Sequence, residues 1–581
     1  MENRKAGTYY EIYKILEKKH KFQLVSVFFF LIFLSLVEIV SLGSVIPFVM
    51  AIQEPNLILN SVYYKEYLVD FNLNEENLGN YFFIFFACLV VFSLILKILF
   101  LKINCHISYD ISRFVGDLIF RKILSKNFVD FNNLNSKDIV TTITLRSQSV
   151  GETIYNLISS LGSLVIIIFL TLSSLFIIGI KIIFLFISMS ILYLLWWSII
   201  KKKISKYGLI FSENYEKLIK NTSEVMSMFP EIRLYNLSNF FLDDFQKNNY
   251  DLRISQGRNT FVSSYPSVVI QSFIILGLII MVFLWSKYGH LNSQIPILTF
   301  LILTLQRLIP NFQNIFKSYS GISYMSENLK KTTDIILDAT TDKDLKDYIP
   351  KDALKHINSF EEFKEISLKD VSYKTLKNDN KFLLENVNLQ IKKGDKIALM
   401  GPSGSGKTTL INIIMGFINE ISGEVSINKK NLKASLSFWQ NKIAYVPQKI
   451  FMLQKDIYTN ISLKNITSNN EKKNIDEMLN FINLKSELMT ESGLRNLDEG
   501  GKSFSGGQLQ RLAIARALFR KREFLILDET LNALDMENSI KIVKDLKKKK
   551  ELTILLISHN DAIASQMDRI IKIKDGKIDE S

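Results

Sequence analysis

Cysteine is almost missing from this sequence. Cys88 and Cys105 are the only two in 581 residues, and both sit in or near one apolar segment. A disulfide framework is thereby excluded, and neither position has the spacing of a metal site. A cleavable signal is missing too: the first apolar stretch runs from Phe22 to about Ile52, longer than a signal core, and no small-residue cleavage pattern follows. Low-complexity, turn-rich sequence is absent from the two long basic loops described below, which argues against flexible tethers there.

Apolar surface is what abounds. Hydrophobic residues make up 48 % of the chain and Phe occurs 42 times, yet the formal net charge is +14. A soluble protein seldom combines these properties, whereas a membrane protein with basic cytoplasmic loops does so readily. Nucleic-acid binding is disfavoured, because Lys and Arg cluster beside apolar runs rather than in one stripe with aromatics. At 581 residues the chain calls for two or more domains.

Crossing about 30 Å of hydrocarbon takes roughly 20 apolar residues. Six runs qualify: Phe22–Ile52, Tyr81–Ile103, Leu157–Ile178, Ile182–Ile200, Val262–Trp285 and Ile295–Phe316. Gly179–Lys181 between the third and fourth reads as a tight extracellular hairpin. Basic residues collect before span one (Lys14, Lys18, Lys19, Lys21), between spans two and three (Arg113 to Arg146) and after span four (Lys201 to Arg233). The alternate loops carry Lys65, Lys181 and Lys287 alone, which predicts both termini in the cytoplasm. Spans two to five are expected to continue as helices into the cytoplasm. Their tips, around Asp130–Ser136 and Glu224–Arg233, are candidates for touching the next domain.

Beyond residue 332 the chain turns polar, with a linker over 333–363, and then alternates strand-like and helix-like segments in an α/β pattern. The strand Lys396–Met400 leads into Gly401-Pro-Ser403-Gly404-Ser405-Gly406-Lys407-Thr408-Thr409 and a helix expected from about Leu410. This complete G-x-x-x-x-G-K-[ST] cradles phosphates on backbone N–H groups at a helix start. Lys407 neutralises the β- and γ-phosphates of ATP, and Thr408 is a ligand for Mg²⁺. Phe524–Glu529 reads as a buried strand ending in two carboxylates, Asp528 to hold Mg²⁺ and Glu529, pointing to the opposite side, to polarise water. Ser505-Gly506-Gly507-Gln508 precedes a second expected helix, Leu509–Phe519, and offers another anion-binding helix start. Since the first phosphate loop already takes one nucleotide, the simplest use of the second is to close over ATP bound by another copy.

In these motifs the second half resembles the nucleotide-binding domain of ABC transporters, and the whole chain resembles an exporter-type half transporter. The implied fold is an α-helical six-span transmembrane domain (1–332) followed by an α/β P-loop ABC ATPase domain (364–581), working as a homodimer. The resemblance makes Phe504–Gln508 the signature motif, with Phe where Leu is usual. It makes Tyr373 the aromatic that stacks on adenine, against the alternative of a core tyrosine. Gln448 matches the residue that links the γ-phosphate and its Mg²⁺ to the membrane helices. Asp535 falls in the loop crossing the dimer seam, and His559 is the switch histidine at the γ-phosphate. Thr530 and Leu531 replace smaller residues usual after the catalytic Glu529.

The cargo is read from polar residues in the spans, because ionisable groups in lipid are costly. Glu38 lies about fifteen residues from the cytoplasmic end of span one and Arg307 about eleven from that of span six, a depth difference of about 6 Å. Lys97 lies in span two. The two readings are a structural Glu38–Arg307 ion pair and a cavity-facing Arg307 that binds an anionic head group such as a pyrophosphate. The outer stretch Leu57–Leu68 reads either as an amphipathic helix at the bilayer surface or as a plain loop. Leu36–Phe48, Arg307–Pro310 and the outer loop resemble bacterial flippases for lipid-linked oligosaccharides. That resemblance implies movement of a polyprenyl-pyrophosphate glycan across an inner membrane. The alternative is an exporter of lipids or drug-like molecules; a peptide exporter is disfavoured because about twenty residues before span one leave no room for a protease domain, an importer because six spans fused to a carboxyl-terminal cassette resemble the export arrangement, and a gated channel or scaffold because Glu529 is intact.

Overall fold

The computed structural model describes residues 2–53, 55–59, 75–132, 134, 136–179, 181–287, 295–337, 362–374, 382–418, 421–465, 468–490, 493–494, 504–532 and 534–580. Most of the outer stretch Leu57–Leu68 and most of the expected linker lie outside these residues. The chain divides into two compact units: residues 1–126 with 133–348, and residues 127–132 with 349–581.

The first unit is helical. Its long helices are Lys18–Gly43, Glu75–Ser125, Ser147–Ile178, Lys181–Ser227, Ser238–Lys287 and Ile295–Leu337. Five of the expected spans each fall within one of them, and the first, Phe22–Ile52, lies on Lys18–Gly43 and the following helix Val45–Gln53. Among the described residues four stretches are long and apolar enough to cross a bilayer: Lys18–Gln53, Leu78–Ser125, Asp138–Phe176 and Ser238–Leu284. The other two expected spans lie on the helices Lys181–Ser227 and Ile295–Leu337, and the latter interrupts its apolar run with Arg307 and Asn311. Helices of 43 to 51 residues exceed a bilayer crossing, so the basic loops are helical extensions rather than tethers. Span one has one interruption, at Ser44, which keeps helical dihedrals of φ −69° and ψ −13°. It stops at Gly43 and resumes as Val45–Gln53, where Pro47 cannot donate into a continuous ladder. Between spans three and four Gly179, at φ 85°, ends the helix Ser147–Ile178.

Side chains in this unit sort by partner. Phe29, Phe83, Phe176 and Phe273 are exposed, whereas Leu31, Ile111, Phe300 and Leu308 are buried between helices. Gly208 lets two helices approach closely: a Cβ there would lie 2.0 Å from the Tyr324 carbonyl oxygen. Farther along the extensions, Glu216 accepts hydrogen bonds from Arg146 and, at 2.8 Å, from Lys331. Arg146 closes a five-residue π turn, Thr142–Arg146, and donates to Thr142 Oγ1 at 2.7 Å. Three helical segments are thereby tied by one carboxylate. Burial pushes the Glu216 carboxyl up, but the hydrogen bonds from Lys331 and Arg146 outweigh it and hold the group below the usual carboxylate range.

The second unit is α/β. Its strands are β1 (Glu365–Lys374), β2 (Phe382–Lys392), β3 (Lys396–Met400), β4 (Ser422–Ile427), β5 (Lys430–Asn431), β6 (Ile443–Val446), β7 (Met489–Thr490), β8 (Gly493–Leu494), β9 (Phe524–Asp528), β10 (Thr553–Ile557), β11 (Arg569–Lys574) and β12 (Lys577–Glu580). They form an antiparallel sheet β2-β1-β4-β5, a six-stranded sheet β12-β11-β3-β10-β9-β6 and the small pair β7-β8. All five residues of β3, β9 and β10 are buried, as expected of parallel strands covered on both faces. The short helix Phe128–Asn132 belongs to this unit, with Phe128 stacked on Phe417 at 4.8 Å.

Sheet register decides what meets at the strand ends. Ile557 pairs with Asp528, Val446 with Leu527, and Leu399 with Ile557. Parallel pairing therefore delivers the residues after β3, β6, β9 and β10 to one edge of the sheet, the usual site of ligands in open α/β folds.

Candidate active site

The phosphate loop follows β3 at that edge. Gly401 takes φ 155° and Gly406 φ 105°; a Cβ would lie 2.3 Å from the Ile573 carbonyl oxygen in the first case and 2.7 Å from that of Leu383 in the second. Only glycine fits either place. The helix begins at Lys407, three residues before the expected Leu410, and Gly406 is its N-cap. Lys407 and Thr408 therefore sit in the first turn, where the unpaired N–H groups point outward. Thr408, Ser403 and Gly404 are exposed, Thr409 is half-buried and Ser405 is buried.

Lys407 is buried, and its Nζ donates to the carbonyls of Gly401 at 2.8 Å and Pro402 at 2.9 Å. Burial lowers its pKa, and the nearby charges of Glu529 and Asp528 oppose that shift. The hydroxyl of Ser405 is buried without a partner. A buried cation resting on two loop carbonyls, beside an unpartnered hydroxyl and a run of N–H donors, fits a polyphosphate.

Asp528 and Glu529 part company at the end of β9. Asp528 accepts a hydrogen bond from the Tyr445 hydroxyl at 3.0 Å, and burial raises its pKa despite that bond. Glu529 does not continue the strand pleat: its φ is 50°, a left-handed conformation that costs a residue with a side chain about 1–2 kcal/mol. That turn sets its carboxylate between Gln448 Nε2, at 2.7 Å, and His559 Nε2, at 2.8 Å. Asp528 and Glu529 therefore have separate partners, Tyr445 for the first and Gln448 and His559 for the second. Tyr445 reaches Asp528 because β6 lies beside β9.

Ser505 caps the helix Gly506–Phe519, which starts three residues before the expected Leu509. Its Oγ accepts from Gln508 N at 3.2 Å while Gln508 Oε1 accepts from Ser505 N at 3.0 Å, a reciprocal capping box. The Ser505 hydroxyl hydrogen is left free by this cap to donate to an anion. Arg511 braces the same helix by a two-pronged pair with Glu487, at 2.7 and 2.8 Å. Nothing in the sequence pointed to Glu487, 24 residues upstream. Phe504 is buried in the core, as is Leu531, while Thr530 is buried with an unpartnered hydroxyl. Leu531 thus has a packing reason that its sequence context did not supply.

Asp535 caps the helix Met536–Lys547 by accepting from Asn538 N at 3.1 Å. Hydrogen bonds from the Asn538 side chain and backbone hold its carboxyl below the usual range. Tyr373, near the end of β1, is half-buried and packs one side of its ring against the core under the antiparallel sheet.

In the membrane unit Glu38 is 2 % exposed and is paired most closely with Lys97. Arg307 Nη1 lies 3.9 Å from the same carboxylate, and its Nη2 reaches Ser41 Oγ at 3.4 Å. The expected two-residue pair is a three-residue cluster, because span two packs on span one and brings Lys97 in. One carboxylate shared by two cations leaves a net positive charge, and Arg307 Nη1 is buried with no hydrogen-bond partner.

Comparison with known proteins agrees with this geometry. Residues 24–309 match the family described as ABC transporter transmembrane region, and residues 384–532 match ABC transporter. The chain is 28 % identical over 370 residues to the nisin transport ATP-binding protein NisT of Lactococcus lactis, covering 61 % of this chain and 59 % of that protein. It is 37 % identical over 224 residues to the ATP-dependent lipid A-core flippase of Wigglesworthia glossinidia, covering 37 % and 38 % of the two chains. It is 35 % identical over 229 residues to the lacticin-481 transport/processing ATP-binding protein of the same Lactococcus, of which it covers 31 %. These matches all span less than two thirds of the relatives' own lengths. A solved bacterial Atm1-family ABC exporter with ATP bound superposes with a TM-score of 0.74 at 15 % identity, covering 97 % of this chain and 95 % of that one, a likeness of fold. The two family matches together take in most of the sequence, and the chain belongs to the ABC transporters, with a membrane region and an ATP-binding region fused in one polypeptide.

Proposed function

We propose that this protein couples ATP hydrolysis to the outward movement of an amphipathic, anionic lipid-linked substrate. The observation that carries the hydrolytic half is Glu529, held between Gln448 and His559 at the sheet edge that also presents Lys407 and Asp528. In this reading Lys407 leaves its two loop carbonyls for the β- and γ-phosphates, and Ser405 and Thr409 donate to phosphate oxygens. Tyr373 supplies a ring for the adenine. Mg²⁺ bound with ATP would neutralise phosphate oxygen charge, and Thr408, Asp528 and the Gln448 amide oxygen are the groups that would hold it. Glu529 orients and polarises the attacking water, and His559 is positioned by Glu529 to meet the γ-phosphate.

Ser505 and the N–H groups of Gly506, Gly507 and Gln508 form the second phosphate-binding helix start. In this reading they close over nucleotide held by a second identical chain, with Asp535 at the seam. Closure draws the helical extensions together and opens the spans outward, and hydrolysis resets them. The protein is read as a multi-pass protein of the inner membrane with both termini cytoplasmic.

The net positive Glu38–Lys97–Arg307 cluster supports an anionic head group, and a polyprenyl-pyrophosphate glycan is the cargo it favours. The relatives named above are described as acting on nisin, lacticin-481 and lipid A-core, so the ATPase motifs do not select among cargoes. An exporter of other lipids or drug-like molecules is the second reading, favoured by the apolar span surfaces. Flipping of fluorescent polyprenyl-pyrophosphate glycan in proteoliposomes, with and without ATP, tests the first. Arg307→Ala should lower that flipping about tenfold or more while basal ATP hydrolysis persists. Equal flipping by the variant removes Arg307 from the substrate path.

A further inference from the structure

The membrane unit holds a groove that neither the ATPase cycle nor the Arg307 cluster uses. Its walls come from the N-terminal helix Glu2–Ile15 (Tyr9, Ile12, Tyr13), the first span (Leu24, Val27, Leu31) and the third-span helix from Val150 to Leu161, and it encloses about 240 Å³. Along that last helix the wall extends about 16 Å. The groove exists because the chain breaks at Leu16–Glu17, where Glu17 is extended at φ −63° and ψ 157°, so the first helix does not run on into the span.

Its lining asks for a ligand without polar atoms. Thr153, the wall's hydroxyl, already donates to the Ser149 carbonyl at 2.8 Å. The phenols of Tyr9 and Tyr13 are the remaining polar atoms, and burial raises the pKa of Tyr9, which keeps it neutral. A peptide laid here would leave backbone N–H and C=O groups unpaired, at a cost of several kcal/mol each. A hydrocarbon chain has no such groups.

One end of the groove is cationic. Residues 9–21 contain Lys14, Lys18, Lys19 and Lys21 against Glu11 and Glu17. Lys19 is engaged with Asp110 at 3.6 Å. Lys21 Nζ stands 4.9 Å from the centroid of the Tyr13 ring, itself part of the wall, and donates to the Lys14 carbonyl at 3.3 Å. Hydrocarbon-lined space therefore abuts a fixed cation with two more lysines nearby in sequence. We propose that this groove binds one acyl chain of an anionic phospholipid, with the headgroup phosphate against Lys21, Lys18 and Lys14.

The test uses the full chain in nanodiscs doped with phosphatidylglycerol carrying a diazirine on one acyl chain, compared with the matching phosphatidylcholine, without nucleotide. Photolabelled residues are mapped by mass spectrometry. Labelling should concentrate on residues 9–31 and 150–161, with about tenfold preference for phosphatidylglycerol. The double variant Lys18→Ser with Lys21→Ser should abolish that preference while phosphatidylcholine labelling stays. Leu24→Trp should fill the groove and reduce labelling by both lipids, at an unchanged melting temperature. Label spread evenly over the lipid-facing helices overturns the proposal, as does equal labelling by the two lipids. Loss of groove labelling in a cross-linked dimer would assign the groove to a second copy and also overturn it. Because no nucleotide or cargo enters this assay, its failure leaves the transport reading untouched.

Discussion

Glu529 and Glu38 show how differently the two units use a half-hidden acid. Glu529 is 18 % exposed, sits where a strand ends in a left-handed turn, and takes its hydrogen bonds from an amide and an imidazole. Glu38 is 2 % exposed, lies mid-helix, and is flanked by Lys97 and Arg307. The first site keeps water within reach and holds its carboxylate with partners that can yield it to a substrate. The second holds a carboxylate in a low-dielectric region, where only compensation by cations makes an ionised acid tolerable. In the proposed cycle Glu529 must stay available to water, whereas Glu38 must stay paired.

The sharpest way to break this comparison is Glu529→Gln. The amide keeps the shape but cannot take a proton, so ATP hydrolysis should fall about 10²–10⁴-fold while nucleotide binding persists. Phosphate release and binding of a fluorescent ATP analogue read the two separately, and undiminished turnover would remove Glu529 from catalysis. Glu38→Gln should act on stability instead. The change leaves Lys97 and the partly buried Arg307 without their shared carboxylate, so a loss of about 2–3 kcal/mol is expected in the detergent-solubilised protein. A variant as stable as the parent would show the cluster to be held by packing alone.

Glu216 supplies an intermediate case, a partly buried acid outside the spans. Its folded pKa is depressed, so its stabilising contribution is complete above the ordinary carboxylate range and disappears as pH falls through the lowered value. Glu216→Gln should cost about 1.5–3 kcal/mol at neutral pH, and the difference from the parent should shrink on acidification. Melting temperatures at neutral and acid pH check this; a gap independent of pH would refute the assigned pairing. The smallest effect belongs to Phe504→Leu. It trims a buried side chain in the signature motif by a modest volume, so about 1 kcal/mol of stability should go and ATP hydrolysis should change little. A large loss of turnover would give Phe504 a role beyond packing.

Contiguous motifs were legible and long-range pairings were not. The phosphate loop, the strand running into Asp528 and Glu529, and the Ser-Gly-Gly-Gln stretch from Ser505 could be read because each is a local pattern: glycines where the backbone must reverse, a short buried strand, small polar residues ahead of a helix. Helix starts at Lys407 and Gly506 were read three residues late, since glycine and serine look like loop until the first turn's hydrogen bonds are counted. The break in span one at Gly43–Val45 was hidden inside a continuous apolar run. Lys97 was seen as a residue in lipid, but its pairing with Glu38 needs two helices packed in a particular rotation, which hydropathy does not encode.

By itself the sequence determined the kinds of segment: long apolar helices, an α/β domain, glycines at left-handed turns and a lysine at the head of a helix, because each depends on the chemistry of neighbours along the chain. Tertiary structure alone decided which of those groups meet. The parallel register of β6, β9 and β10 brings Gln448, Glu529 and His559 to one edge, helix packing sets two cations on Glu38, and the bend at Glu17 opens an apolar groove beside Lys21. The reason is physical: strand register and helix rotation are settled by the packing of whole faces, and a single chain position carries almost none of that information.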